Sequence, residues 1–161
     1  MKYLAIAAAS LVAAPAFAEA HLPAGDVAAG EEQFNKQCVT CHVVVTPDGE
    51  KLAGRNARTG PNQYGIAQRP LGSVEGFRYS DALVELGQGG MVWEEEAFVG
   101  YVQDPTAWLR DATGDSRARG KMAYKVRAEE DAHNLWAYLY SLAPPTEDGQ
   151  SAAAGTELLT N

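Results

Sequence analysis

The chain has 161 residues with an apolar fraction of 46%, enough for one packed domain. Its formal charge of -8, from 13 basic and 21 acidic side chains, excludes a generic phosphate-binding surface, so no nucleic-acid partner is expected. Two cysteines exclude a dense disulfide framework, and beyond the N-terminus no apolar run reaches the roughly 18 residues of a membrane span.

Residues 1–18, MKYLAIAAASLVAAPAFA, read as an export signal. Lys2 gives a positive start, the apolar stretch from Leu4 to Ala14 is short, and Ala16-Phe17-Ala18 has the small-x-small form of a cleavage site. Cleavage after Ala18 leaves 143 residues and, with Lys2 lost, a formal charge of -9. An uncleaved membrane anchor is the competing reading, and Pro15 argues against it. Export places the mature chain in an oxidising compartment, the periplasm of a bacterium.

Asp26 can cap a helix from Val27 to about Lys36, with Val27, Gly30 and Phe34 on one stripe. Gly30 in mid-helix costs roughly 1 kcal/mol against alanine. Next comes Cys38-Val39-Thr40-Cys41-His42, the Cys-x-x-Cys-His signature of covalent haem attachment. Two thiols add to the two haem vinyl groups, and the following histidine can supply an axial nitrogen. Three duller readings compete. A thioredoxin-like pair wants strand-helix-strand flanks, but here a helical pattern precedes the cysteines. A zinc site needs a second ligand pair, and His21 and His133 stand alone. A disulfide between residues so close closes almost no loop.

Ser80 can cap a short helix from Asp81 to Leu86, ended by Gly87. Glu94-Glu95-Glu96 opens a helix to about Gln103, with its acids at the positive end of the dipole. Pro105 starts a short helix through Trp108 and Leu109. The strongest helical pattern runs from Ala128 to Ser141 and stops at Pro144-Pro145. No period-two strand pattern and no internal repeat is present. The domain is expected over 19–145. Residues 146–161, TEDGQSAAAGTELLTN, are expected to be a disordered acidic tail.

The second axial ligand has few candidates: His21, His133, Met91, Met122 and lysines. His133 lies about 200° round its helix from Leu135 and faces largely to solvent. Met91 in Gly-Gly-Met-Val-Trp suits a gap filler. Met122 sits in a polar, turn-rich segment with no helical stripe, so it has less reason to be core. Residues alone favour Met122 and leave Met91 open.

With these motifs the chain resembles the class I cytochromes c, most closely the bacterial cytochrome c2 and c550 group, from about Gly25 to about Ala143. Thr59-Gly60-Pro61-Asn62-Gln63-Tyr64-Gly65 is similar to the family's loop on the histidine side of the haem. Gly120-Lys121-Met122 is similar to its methionine-ligand loop. Val102-Gln103-Asp104-Pro105 and Leu135-Trp136-Ala137-Tyr138-Leu139 match family segments in the same order. The resemblance implies an all-α fold of helices and long loops wrapped around one covalently bound haem c. It implies thioethers from Cys38 and Cys41 and axial ligation of the iron by His42 and Met122. The Pro61 carbonyl would accept from the His42 ring N–H and fix its tautomer. Arg69, Tyr79 and Trp93 would surround the haem propionates, Tyr101 would lie near Met122, and Tyr124 near the exposed edge. Gly30 would mark a close crossing with the last helix. The chain departs from the pattern at Gln68, where the family commonly has glycine before the arginine. Pro47 to Arg58 and Leu109 to Arg119 are longer than in the shortest relatives.

The function this implies is a soluble periplasmic mono-haem electron carrier, not an enzyme. A cytochrome bc complex would be its donor. A photosynthetic reaction centre, a terminal oxidase or a periplasmic reductase or peroxidase would be its acceptor. Lys36, Lys51, Arg55, Arg58, Lys121, Lys125 and Arg127 would ring the haem edge, so that a monomer docks transiently through charge. Two other readings share the sequence. One is a haem enzyme or gas sensor with a labile Met122. The other is a membrane-tethered module that keeps residues 1–18.

Overall fold

The computed structural model describes residues 22–153. The export signal, His21 and the end of the tail, 154–161, lie outside the described residues. Five α-helices carry the fold: α1 (Val27–Gln33), α2 (Asp81–Gln88), α3 (Glu95–Gln103), α4 (Pro105–Thr113) and α5 (Glu129–Leu142). α1 and α3 both pack on α5, and α4 packs on α2 and α3. The architecture is the all-α arrangement expected, with long loops between Gly54 and Asp81 and between Thr113 and Glu129.

α1 begins as the sequence suggests, with the Asp26 carboxylate accepting from the Ala29 N–H at 2.7 Å. The Asp26 N–H donates to Asn134 Oδ1 at 2.7 Å and ties this end of α1 to α5. The helix does not stop at Lys36. It widens into a π-helical turn over Phe34–Cys38 and delivers Cys38 directly from its last residue. Gly30 is buried at the crossing of α1 and α5. A Cβ built there would lie 1.9 Å from the Asn134 carbonyl oxygen, so only glycine lets the two backbones approach this closely. The close crossing expected at Gly30 is therefore present.

Some local expectations differ. Ser80 makes no side-chain bond at the start of α2; its carbonyl accepts from Leu83 and Val84 instead. Gly87 lies inside α2, which ends two residues later at Gly89-Gly90, where Gly90 takes a φ of +94°. A small antiparallel hairpin is also present, β1 (Val43–Val45) and β2 (Lys51–Gly54), with a bulge after Val44. Its strands are too short to show alternation. β-branched Val43-Val44-Val45 supplies the propensity, and the Thr46–Glu50 turn closes it.

The tail expectation changes at its near end. Residues 146–150 close a turn, with the Thr146 N–H donating to the Gln150 carbonyl at 2.8 Å. Ser151 is buried, and its hydroxyl donates to the Gly65 carbonyl. A polar segment can dock when its few polar groups find backbone partners.

Gly30→Ala tests the crossing. In an open helix the change would gain about 1 kcal/mol of propensity. Here it is expected to destabilise the haem-loaded protein by about 3 kcal/mol, read as a lower denaturant midpoint.

Candidate haem site

The motif Cys38–His42 leaves the π turn in a tight loop, with the Cys41 and His42 N–H groups both donating to the Cys38 carbonyl, at 3.0 and 2.8 Å. His42 then meets the segment 59–63. The Gly60 N–H donates to the Cys41 carbonyl at 2.7 Å, and a Cβ on Gly60 would lie 2.4 Å from the imidazole. A glycine here lets backbone lie flat against the ring. The hairpin holds that segment from the other side. Asn62 Oδ1 accepts from the Val45 N–H at 3.0 Å, and Asn62 Nδ2 donates to the Val45 carbonyl at 2.7 Å. The Gln63 N–H donates to the Val43 carbonyl at 2.9 Å. Pro61 is thereby fixed with its carbonyl oxygen 2.9 Å from His42 Nδ1, the contact the family resemblance implied.

A cavity of about 550 Å³ opens in front of this loop. That is a volume fit for a large cofactor. Cys38, Cys41, His42 and Pro61 form one side of its lining, and Met122 is part of the same lining. Arg69, Tyr79, Trp93 and Tyr101 line it too, so the residues the family resemblance singled out come together around one space. Phe34, Leu135 and Leu139 add apolar wall from α5 and the π turn. Trp93 is clamped by Tyr101 at 5.2 Å and Trp108 at 6.2 Å between ring centroids. The loop bearing Met122 is pinned on both sides. The Gly120 N–H donates to Thr106 Oγ1 at 3.2 Å, and the Val126 N–H to the Val102 carbonyl at 2.9 Å.

Electrostatics at the site follow from burial. It pushes the Cys38 thiol up to about 12, with Cys41 adding to the shift. Such a thiol is the opposite of the low-pKa cysteine of a redox pair. Burial also lowers His42 below its ordinary value, against the pull of the Pro61 carbonyl, and so favours a neutral ring. Arg69 is 8% exposed, and burial brings its guanidinium down to about 10. Its Nη1 donates to the Tyr64 carbonyl at 2.7 Å and its Nη2 to the Asn62 carbonyl at 3.1 Å, so it braces the histidine-side loop. Gln68, just before it, holds a φ of +60°, a left-handed conformation that glycine takes without strain. The turn survives the departure because it is held by a bridge: the Gln68 N–H donates to the Trp93 carbonyl and the Trp93 N–H to the Arg69 carbonyl, both at 2.9 Å.

The other ligand candidates fall away. Met91 is 37% exposed and outside the cavity lining, so it is neither core filler nor near His42. His133 does not face open solvent; its Nδ1 lies 2.6 Å from Glu95 Oε1, because α3 packs where its side chain emerges. Among the described residues no group of three or more His, Cys, Asp or Glu converges as a zinc site would. No helix among them is long and apolar enough to cross a membrane. Among the wall residues the sequence reading missed are two with buried amides, Gln37 and Gln63. Each has a buried Oε1 without a hydrogen-bond partner among the described residues. A glutamine in a loop or at a helix end normally signals exposure, so no sequence signal marks them. Two thiols, an imidazole and a thioether around one apolar space, with a buried guanidinium in its wall, fit a haem.

Tyr101 gives a pH test. Burial, helped by Tyr79, pushes its phenol from 10.0 to about 12. The folded state favours the neutral phenol, so its contribution is present below pH 10 and lost as pH climbs to about 12. Tyr101→Phe is expected to flatten the fall in unfolding free energy across that window and to remove the last step of tyrosinate absorbance.

No protein-family model matches the chain. Individual proteins match it well. Cytochrome c2 of Rhodovulum adriaticum is 59% identical over 118 residues, covering 73% of this chain and 93% of that protein. Cytochrome c2 of Cereibacter sphaeroides is 49% identical over 138 residues, covering 85% and 92%. The crystal structure of cytochrome c2 from Rhodobacter sphaeroides superposes with a TM-score of 0.70 at 51% identity, over 73% of this chain and 95% of that one. At such identity over nearly the full length of these relatives, the chain belongs to the cytochrome c2 group of the class I cytochromes c, electron carriers with a single covalently bound haem c.

Proposed function

We propose that this chain is a periplasmic one-electron shuttle in which Cys38 and Cys41 anchor the haem and His42 and Met122 take the two axial positions of its iron. Bound haem c supplies one-electron chemistry at that iron. The observation that carries the assignment is the His42–Pro61 contact of 2.9 Å. Pro61 occupies Nδ1, so Nε2 is the nitrogen left for a metal, and the contact holds the ring in that tautomer. Met122 lines the same cavity from a loop tied down at Gly120 and Val126. With His42 and Met122 both holding the iron, no position would be left for a substrate, which favours a carrier over an enzyme or sensor.

Two buried propionates need donors or positive charge. Arg69 supplies charge while bracing its loop, and Tyr79 and Trp93 carry the polar hydrogens available on that wall. Tyr101 shields the methionine side. Signal cleavage after Ala18 puts the mature chain in the periplasm, and the domain spans 19–145, with the near end of the tail docked on it through Ser151. The donor is a cytochrome bc complex, and the acceptor a photosynthetic reaction centre or a terminal oxidase.

Docking uses the cavity rim. Thr59, Lys121, Ala123 and Tyr124 are its exposed lining residues. Arg55, Arg58 and Arg127 are exposed cations, whereas Lys36 and Lys125 are paired with Glu32 and Asp104. A partly basic rim on an acidic monomer suits brief contact with an acidic membrane complex.

The matured protein, with a mass short by residues 1–18, is expected to show the weak far-red absorption of iron–thioether bonding when oxidised. Met122→Leu should abolish that band and open the iron to a high-spin state; a surviving band would remove Met122 as ligand. Electron transfer to a membrane partner should slow as salt rises, and Lys121→Glu should slow it about threefold at low salt. A rate indifferent to both would count against the basic rim.

A further inference from the structure

Gln63 has no part in the function proposed above, yet it touches the centre of the site. Its side chain is 8% exposed and lines the cavity. Its Nε2 lies 2.9 Å from His42 Nδ1 and 3.3 Å from the Pro61 carbonyl oxygen. Its Oε1 is buried without a partner among the described residues. His42 Nδ1 is itself 2.9 Å from the same Pro61 oxygen. A ring nitrogen, a carbonyl and an amide thus form a closed triangle.

The triangle has a consequence once His42 holds iron, the assignment on which this inference rests. With Nε2 on the metal, the ring proton sits on Nδ1, and an Nδ1–H can only donate. An amide nitrogen at 2.9 Å then sets a donor against a donor. Half a turn of the carboxamide exchanges its two ends within the same space. Oε1 then faces Nδ1 as an acceptor and Nε2 takes the buried place on the cavity wall; the donor-to-donor contact is gone, and the Nε2 contact with the Pro61 carbonyl is given up for it.

We propose that Gln63 is a positioning residue for His42: in the haem-loaded protein its Oε1 shares the Nδ1–H with the Pro61 carbonyl. Two acceptors on one ring N–H raise the basicity of the imidazole toward iron. A more basic ligand favours the ferric state, so Gln63 lowers the potential. The opposite orientation predicts the opposite sign. An Nε2 donating to Pro61 would draw that carbonyl away from His42, weaken the ligand and raise the potential.

Gln63→Leu in the haem-loaded protein decides between them, by redox titration and by NMR with ¹⁵N-labelled histidine. Gln63→Met, of similar length and without an amide, serves if the leucine variant fails to mature. The expected result is a rise in potential that shifts the ferrous-to-ferric ratio about threefold, the size of a weak net hydrogen bond, or ~28 mV for one electron. The Nδ1–H resonance of His42 in the ferrous protein should move upfield. A fall in potential, no change in potential, or an unmoved resonance overturns the proposal. The ligand assignment is read separately: His42 resonances carry a paramagnetic shift in the ferric protein if the ring is bound to iron. Its absence would overturn that assignment, and this inference with it.

Discussion

The approach of α1 to α5 at Gly30 is the constraint on which the site depends. With no side chain at that position, the Asn134 carbonyl comes within reach of the α1 backbone. Asn134 Oδ1 then takes the Asp26 N–H, so the same residue fixes both the depth and the start of α1. The direction in which the chain leaves α1 follows. Phe34 is buried in the core, where it packs on Tyr138 of α5 at 5.7 Å between centroids. The π turn then turns Cys38 toward the cavity, and four residues later His42 faces Pro61. Loosening the crossing would move the histidine and both thiols as one body.

A second frame sets the histidine's far side. The hairpin β1–β2 is small, but Val43 and Val45 use their backbone groups on Gln63 and Asn62. Arg69 reaches back to the carbonyls of Asn62 and Tyr64 from within the core. Its guanidinium is costly to bury, and its fork of donors offsets that cost by satisfying two carbonyls at once. The near end of the tail adds a further tie through Ser151 to Gly65. A loop without regular structure is thus held from three directions, and preorganised ligands need this when an electron is to move with little rearrangement.

The chain is acidic overall, yet the groups that touch the cavity are of another kind. Its walls are largely aromatic and aliphatic, with one buried arginine and two buried amide oxygens. A low-dielectric pocket magnifies each remaining polar contact. Small choices at single residues, such as an amide beside the axial imidazole, therefore have more leverage on iron chemistry than charges on the surface. Surface charge governs encounter with partners instead, where salt screens it.

The sequence alone determined the chemistry, because Cys38, Cys41 and His42 sit within five residues and their spacing is itself the geometry of attachment. It also determined most helices, whose caps and stops are local signals: Asp26, Pro105 and Pro144-Pro145 mark real ends. Local signals failed where partners are distant in sequence. Nothing near Val43 announces a strand, since the hairpin is stabilised by residues seventeen or more positions on, at 62 and 63. Ser80 stands at the N-cap of α2 as the sequence suggests, but its hydroxyl makes no capping bond there. Gln63 looks like a solvated loop residue and is buried, because the chain folds Pro61 against His42 and carries its neighbour in with it. Only the tertiary structure could decide that Met122, Trp93 and Arg69 share one cavity with His42. Their meeting depends on how helices cross, and crossing is set by backbone approach at Gly30 rather than by any pattern along the chain.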